Sequence, residues 1–283
     1  MADNPRSRRQ ILLGIGAAST VALAGCGGNG DGTETETENG GGMDDDGMDE
    51  ETETEDEGMD DETETEDGMD ETPSESANVR VAHMSPNAPN VDVYVDSDDP
   101  VLSDVPFGTV SDYLEVPAGE RQIEITAAGD PDTSVFSGGV PVEGDSDYTI
   151  AASGEIGDDA DQPFEPLVLE DDNSDVGGDE ARLRAVHVSP DAPAVDITAA
   201  GGDVVLFDGV EYGQSGYTTV EANDYTVEIR GDTDSNDGEV VADFDVSLNG
   251  GTVYTAFAAG YLSPDDEPAD TGFDLIVAQD SSN

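Results

Sequence analysis

The chain has 283 residues and carries 69 acidic side chains against 8 basic ones, all of them arginine, for a formal net charge of −61. That balance excludes a nucleic-acid partner, because phosphate recognition needs clustered cations. With one cysteine, Cys26, no intramolecular disulfide can form. A lysine-free surface of this charge suits concentrated salt, where at ~1 M the Debye length falls to about 3 Å and self-repulsion is screened.

Residues 1–25 read as an export signal. Arg8 and Arg9 precede an apolar run from Ile11 to Ala24. That run is shorter than the ~20 apolar residues a membrane-spanning helix needs, and it fits a signal peptide. The arginine pair resembles a twin-arginine signal, which carries folded cargo. Leu23-Ala24-Gly25-Cys26 resembles the lipobox of bacterial and archaeal lipoproteins. The resemblance implies a lipid on Cys26, cleavage before it, and a mature chain anchored to the outer face of the cell membrane. Taken with the acidity, these features are similar to those of a haloarchaeal-type lipoprotein.

Residues 26–78 are expected to form a disordered acidic linker. From Gly27 to Asn78 there are 23 acidic residues and no basic one, in near-repeats such as "MDEETETEDEG" and "MDDETETEDG". Such a stretch has little to bury and repels itself, so it reads as a solvated spacer. Its threonines are candidate glycosylation sites, although the chain has no Asn-x-Ser/Thr sequon.

From residue 79 the texture becomes β. Short runs of Val, Ile, Tyr and Thr alternate with polar residues and are separated by Gly, Pro, Asp and Asn. Gln122–Ile125 and Thr226–Ile229 alternate out and in, each after a turn in which Gly119 and Asn223 hold the same place. Both residue types tolerate positive φ. Further matches repeat at a period of roughly 105 residues: Phe107-Gly108 with Tyr212-Gly213, Tyr113 with Tyr217, Val116 with Val220, Tyr148 with Tyr254, Phe164 with Phe273. These predict an all-β fold of two tandem antiparallel sandwiches of immunoglobulin-like size, over 79–171 and 182–283, joined by a linker at 172–181. A small barrel is the alternative.

Each copy opens with one motif. "HMSPNAPNVD" runs from His83 to Asp92 and "HVSPDAPAVD" from His187 to Asp196, and they hold both histidines of the chain. With the flanking "VRVAHMSPNAPNVDVYVD" and "LRAVHVSPDAPAVDI", the sequence resembles the DUF4397 family of extracytoplasmic β modules. The resemblance implies tandem copies over nearly all of 79–279 and assigns no chemistry. The copies diverge where Tyr94-Val95-Asp96 faces Thr198-Ala199-Ala200.

Three roles for the motif compete. His83, Ser85 and Asp92, with His187, Ser189 and Asp196, contain triad residue types, but each serine precedes a proline (Pro86, Pro190) and lacks a nucleophile-elbow pattern. One histidine per copy, without a thiol nearby, makes a poor transition-metal site. The preferred reading is structural: the prolines fix an extended corner and the histidine bonds across it. Calcium is a weaker candidate at Asp232, Asp234 and Asn236, which alternate like the start of a calcium loop. Tyr113, Tyr217, Phe107 and Tyr212 are candidates for a binding surface or for packing.

The reading as a whole is a non-enzymatic, lipid-anchored surface protein with an envelope protein or glycan as partner. The rivals are an extracytoplasmic enzyme acting on a surface polymer and a solute-binding receptor.

Overall fold

The computed structural model describes residues 75–282. The signal residues Arg8 and Arg9, Cys26, and nearly all of the acidic segment lie outside the described residues. Within them the fold is all β, with no α-helix. The first eight strands are β1 (Ser76–His83), β2 (Val91–Val95), β3 (Leu102–Val105), β4 (Leu114–Pro117), β5 (Gly119–Ala127), β6 (Asp130–Val142), β7 (Asp147–Ser153) and β8 (Glu165–Asp171). They form two sheets, β4-β1-β7-β8 and β3-β2-β5-β6. The next eight are β9 (Glu180–His187), β10 (Val195–Ala199), β11 (Val204–Val210), β12 (Ser215–Glu221), β13 (Asn223–Gly231), β14 (Val240–Leu248), β15 (Thr252–Ala259) and β16 (Asp274–Ser282). They repeat the arrangement as β12-β9-β15-β16 and β11-β10-β13-β14.

Each pair of sheets closes on its own apolar core. In the first sandwich Val79, Val81, Val91, Val93, Ile123, Ile125 and Ile150 meet; in the second, Leu183, Ala185, Val195, Ile197, Val227, Ile229 and Ala256 do. Period-2 alternation places these residues on one face of each strand. The tyrosines Tyr148 and Tyr254 play matching parts, each hydroxyl accepting the backbone N–H five residues upstream, from Glu143 and Asn249.

Two features depart from simple half-buried, antiparallel strands. The central pair of each inner sheet is parallel, β1 with β7 and β9 with β15, while the other pairings are antiparallel. These inner sheets are also covered on both faces. Residues of opposite parity, Ala82, Ala151, Val186 and Phe257 with Met84, Val188, Leu169 and Ala259, form a third buried cluster between the sandwiches. The described residues therefore stack their sheets as a four-layer pile. Small side chains at Ala82, Ala151 and Ala259 leave room for Phe257 at the contact. Burial on both faces explains why β7 and β15 have every residue except one buried and lack polar alternation.

The segment between β8 and β9 is also pinned. Arg182 donates to the Asp172 carboxylate and to Ser174, Asn173 donates to Asp147, and Val176 is buried. At the two matched turns the backbone differs. Gly119 sits at φ 113°, whereas Asn223 is not at positive φ and accepts the Asp224 N–H through its side-chain oxygen.

Candidate functional site

The two proline-rich corners are built alike. A carbonyl can only accept, so the ring Nε2 of His83 donates to Pro89 O at 3.0 Å and that of His187 to Pro193 O at 3.1 Å. Both rings are fully buried. Burial pushes both imidazoles below their ordinary pKa, offset in part by these carbonyl bonds, so both are neutral near pH 7. Each ring meets an aromatic edge-on, His83 with Phe107 and His187 with Tyr212.

The remaining motif side chains engage other backbone groups. Ser85 donates to Gly154 O and Ser189 to Gly260 O, in the loops after β7 and β15. Asn87 exchanges two bonds with Ile156, and Asp191, its counterpart, accepts from Leu262 N and Ser263 N. Asp92 accepts the N–H groups of Asp104 and Gly129, and Asp196 those of Gly209 and Thr233. Asp104 and Gly209 both sit at positive φ where the edge-strand register slips. No histidine ring nitrogen bonds a serine hydroxyl or a carboxylate, and the one side-chain pair within the motifs is Ser189 with Asp191 at 3.3 Å. One asymmetry remains: His187 Nδ1 accepts from Ser189 N, while His83 Nδ1 is buried with no partner.

A second polar centre, absent from the sequence reading, lies between the sandwiches. Arg80 on β1 donates from Nη2 to Asp280 on β16 at 2.6 Å, and from Nε to Thr149 at 2.8 Å. Arg184 on β9 donates from Nη2 to Asp171 on β8 at 2.5 Å, and from Nε to Thr255 at 3.0 Å. Thr149 in turn donates to Asp171 and Thr255 to Asp280. Each sandwich lends its arginine to the other's aspartate, so the lattice is reciprocal about a pseudo-twofold axis. All four charged side chains are at most 2% exposed. Tyr113 and Tyr217 lie over the guanidinium groups at 4.9 and 5.2 Å. Tyr113 also donates to Asp171, and burial with that carboxylate pushes its phenol well up. Burial likewise raises the Asp280 carboxyl, with Arg80 and the Thr255 hydroxyl drawing it back.

The signal for this centre was present in the sequence. Arg80 and Arg184 interrupt apolar strands at matching positions, in a chain with few basic residues to spare. The other three arginines of the described residues also have carboxylate partners: Arg121 with Asp96, Arg182 with Asp172, Arg230 with Glu228.

The calcium candidates are distributed differently. Asp232 approaches Asp196 and Asp208, with carboxylate oxygens within 4.8 Å of one another. Asp234 and Asn236 are not part of that group. Asn236 takes φ 56°, and Ser235 and Thr233 hydroxyls turn inward to Asp237. Burial and the charges of Asp196, Asp208 and Asp234 raise the Asp232 carboxyl. The buried Asp196 already accepts two backbone N–H groups.

A cleft of about 360 Å³ lies at the junction of the sandwiches. Pro163, Pro166 and Leu167 wall it from the first sandwich, with Ser153, Gln162 and Glu165 as polar groups, and Tyr212 closes it from the second. Of the four aromatic candidates, Tyr113 and Tyr217 cover arginines and Phe107 packs into the inter-sandwich cluster.

Sixteen strands in two like sandwiches define a class of protein, a β-sandwich pair. More specifically, a DUF4397 domain ("Domain of unknown function") is found at residues 77–198. The match takes in the first sandwich and runs on through β9 into β10. No curated protein matches the chain. Among solved structures, the Bacillus anthracis TIE protein is 11% identical with a TM-score of 0.21, over 65% of this chain and 34% of that one. The chain thus spans about a third of that protein. The CBM26 module of Eubacterium rectale Amy13K, solved in complex with maltoheptaose, is 8% identical with a TM-score of 0.22, over 74% of this chain and 98% of that one. Superpositions this loose carry no inference about fold or ligand. Among the described residues no helix is long and apolar enough to cross a membrane.

Proposed function

We propose that this is a lipid-anchored protein of the outer cell surface, exported through a twin-arginine signal and adapted to high salt, whose two sandwiches act as one rigid binding block. In this reading the second sandwich is a second DUF4397 copy, the acidic segment is the tether, and Cys26 carries the lipid. The partner is an envelope protein or glycan. One observation carries the non-enzymatic part: the His, Ser and Asp side chains of both motifs are bonded chiefly to backbone groups, Ser189 with Asp191 is the one side-chain pair among them, and no histidine ring nitrogen bonds a serine hydroxyl or a carboxylate. Groups bound in this way hold loops shut and are not poised to move protons. The shared topology and register of the two sandwiches support the tandem reading.

The test is fractionation of cells making the wild-type chain, the Cys26→Ser variant and the Arg8→Lys/Arg9→Lys variant, followed by cross-linking of envelope components in high salt. Expected results are a membrane-bound wild type with reproducible envelope partners, a released Cys26→Ser chain, and a retained double-lysine chain. A wild-type chain recovered from the cytosol with a free thiol would overturn the reading.

A further inference from the structure

The cleft beside Tyr212 has a counterpart across the pseudo-twofold axis. The register pairs Ser153 with Glu165 and Ala259 with Asp274, and sets Leu167 against Ala151 as Ile276 is set against Phe257. Isolated bridges equate Pro163 with Gly272. Tyr212 therefore corresponds to Phe107, Ser153 to Ala259, Gln162 to Thr271 and Glu165 to Asp274. On the counterpart side Phe107, Ala259 and Ile276 belong to the buried inter-sandwich cluster, and the Thr271 hydroxyl donates to Pro86 O. The two sides thus differ in polar groups: the Tyr212 side sets two hydroxyls and an amide around a cleft, where the counterpart has Phe107, Ala259 and the Thr271 hydroxyl turned to Pro86.

The electrostatics of the cleft narrow its ligand. Glu165 is exposed on its wall, and the buried Glu155 lies behind it, bonded to Tyr261. No arginine lines the cleft, and the five arginines of the described residues are all paired with other carboxylates. The Tyr212 hydroxyl stays protonated, because burial raises it; the Ser153 hydrogen bond draws it back in part, and the charges of Glu155 and Glu165 add to the rise. An anion would face uncompensated carboxylates. A neutral sugar can donate hydroxyls to Glu165 but brings no opposite charge, so an ammonium gains more at the same contact. A hard metal ion takes six or more oxygen ligands, with carboxylates foremost, and the lining supplies one carboxylate, Glu165, beside the Ser153 hydroxyl, the Gln162 amide and the Tyr212 phenol.

We propose that the Tyr212 cleft binds an organic cation, an ammonium group seated against the Tyr212 ring and the proline walls with Glu165 as its counter-charge. Aromatic and carboxylate walls together suit such a ligand. The inference rests on the binding-block reading above and adds the ligand class.

The experiment is calorimetric titration of the full chain with n-butylammonium, glucose and butyrate in about 1 M NaCl, where screening leaves contact-range attraction. The expected result is saturable binding of n-butylammonium alone. Glu165→Gln should weaken it about tenfold, the scale of one charge contact, while Asp274→Asn at the counterpart position leaves it unchanged. Tyr212→Phe, which keeps the ring against His187, should alter it by less than Glu165→Gln does. No saturable ammonium binding, equal binding by the Glu165→Gln variant, or preference for glucose would overturn the assignment. If envelope partners are still captured in that case, the surface-binding reading stands and only the ligand class falls.

Discussion

The two sandwiches are alike in their paired buried polar groups and unlike in side chains outside those pairs. Arg80 and Arg184, Thr149 and Thr255, Asp171 and Asp280 occupy equivalent places in one lattice, and the histidine corners repeat bond for bond through Pro89 and Pro193. Elsewhere the buried Tyr94 gives way to the buried Thr198, which is held by Glu228 and Arg230, and the half-buried Phe107 gives way to Tyr212. A buried charge or donor left without its partner carries the full desolvation penalty, so paired buried groups change together or not at all. Surface positions carry no such constraint. Binding chemistry is therefore to be sought in the differences between the copies and stability in their agreements.

The sharpest way to break this comparison is at the lattice. Arg80→Met leaves the buried Asp280 without its ion-pair partner, and Arg184→Met leaves Asp171 with only one, Arg80 Nε at 3.9 Å; each should cost about 3–5 kcal/mol. Urea denaturation in high salt would show it, and adding Asp171→Leu to Arg184→Met should restore much of the loss. If neither single variant shifts the midpoint, the two sandwiches are not coupled through these charges.

The corners come next. Removing the ring with His187→Ala or His83→Ala should cost about 1–3 kcal/mol through the orphaned proline carbonyl and lost packing. His187 should be the more costly of the two, because its Nδ1 also holds Ser189 N while that of His83 holds nothing. Equal losses would mean that this asymmetry has no energetic weight.

A pH series sharpens the same point. Both folded imidazoles titrate below the unfolded value of about 6.5, so the unfolded chain takes up protons first on acidification. Their contribution to stability is full above that value and is lost as pH falls through the folded pKa. The His83→Gln/His187→Gln variant should be less stable at pH 7.5 and should lose less between pH 7 and 5 than the parent does. A parallel slope in the two proteins would remove the histidines from the acid response.

The smallest effect is expected at the acidic hairpin of the second sandwich. Asp232 is raised among like charges, which disfavours its ionised form as pH rises. Asp232→Asn should therefore raise the melting temperature slightly at neutral pH and moderate salt. If Asp196, Asp208 and Asp232 instead hold calcium, the parent melting temperature will climb with added calcium and the variant's will not.

Much of the fold was legible in the chain. Strand alternation at Gln122–Ile125, the paired tyrosines Tyr148 and Tyr254, and the repeated proline motif are local signals, and each reports one face of one element. The lattice was hidden because its partners lie far apart: Arg80 and Asp280 are 200 residues distant in sequence. The parallel β1–β7 pairing was hidden for a similar reason, since period-2 patterns show which face is buried but not which strand lies alongside. Double-sided burial left a mark that is easily misread, because Arg80 and Arg184 look like the polar outward positions of half-exposed strands. The Tyr212 cleft needs residues from both sandwiches, so neither copy read alone could display it.

The position of Asp280 on the final strand has a consequence for synthesis. Arg80 is among the earliest residues of the folded part to be translated, and its carboxylate is among the latest. A chain cut short within β16 would strand a desolvated guanidinium at the centre of the pile, so the two sandwiches cannot settle into their finished shape until β16 has been made. Late closure of this kind would separate chains that contain β16 from chains truncated before it.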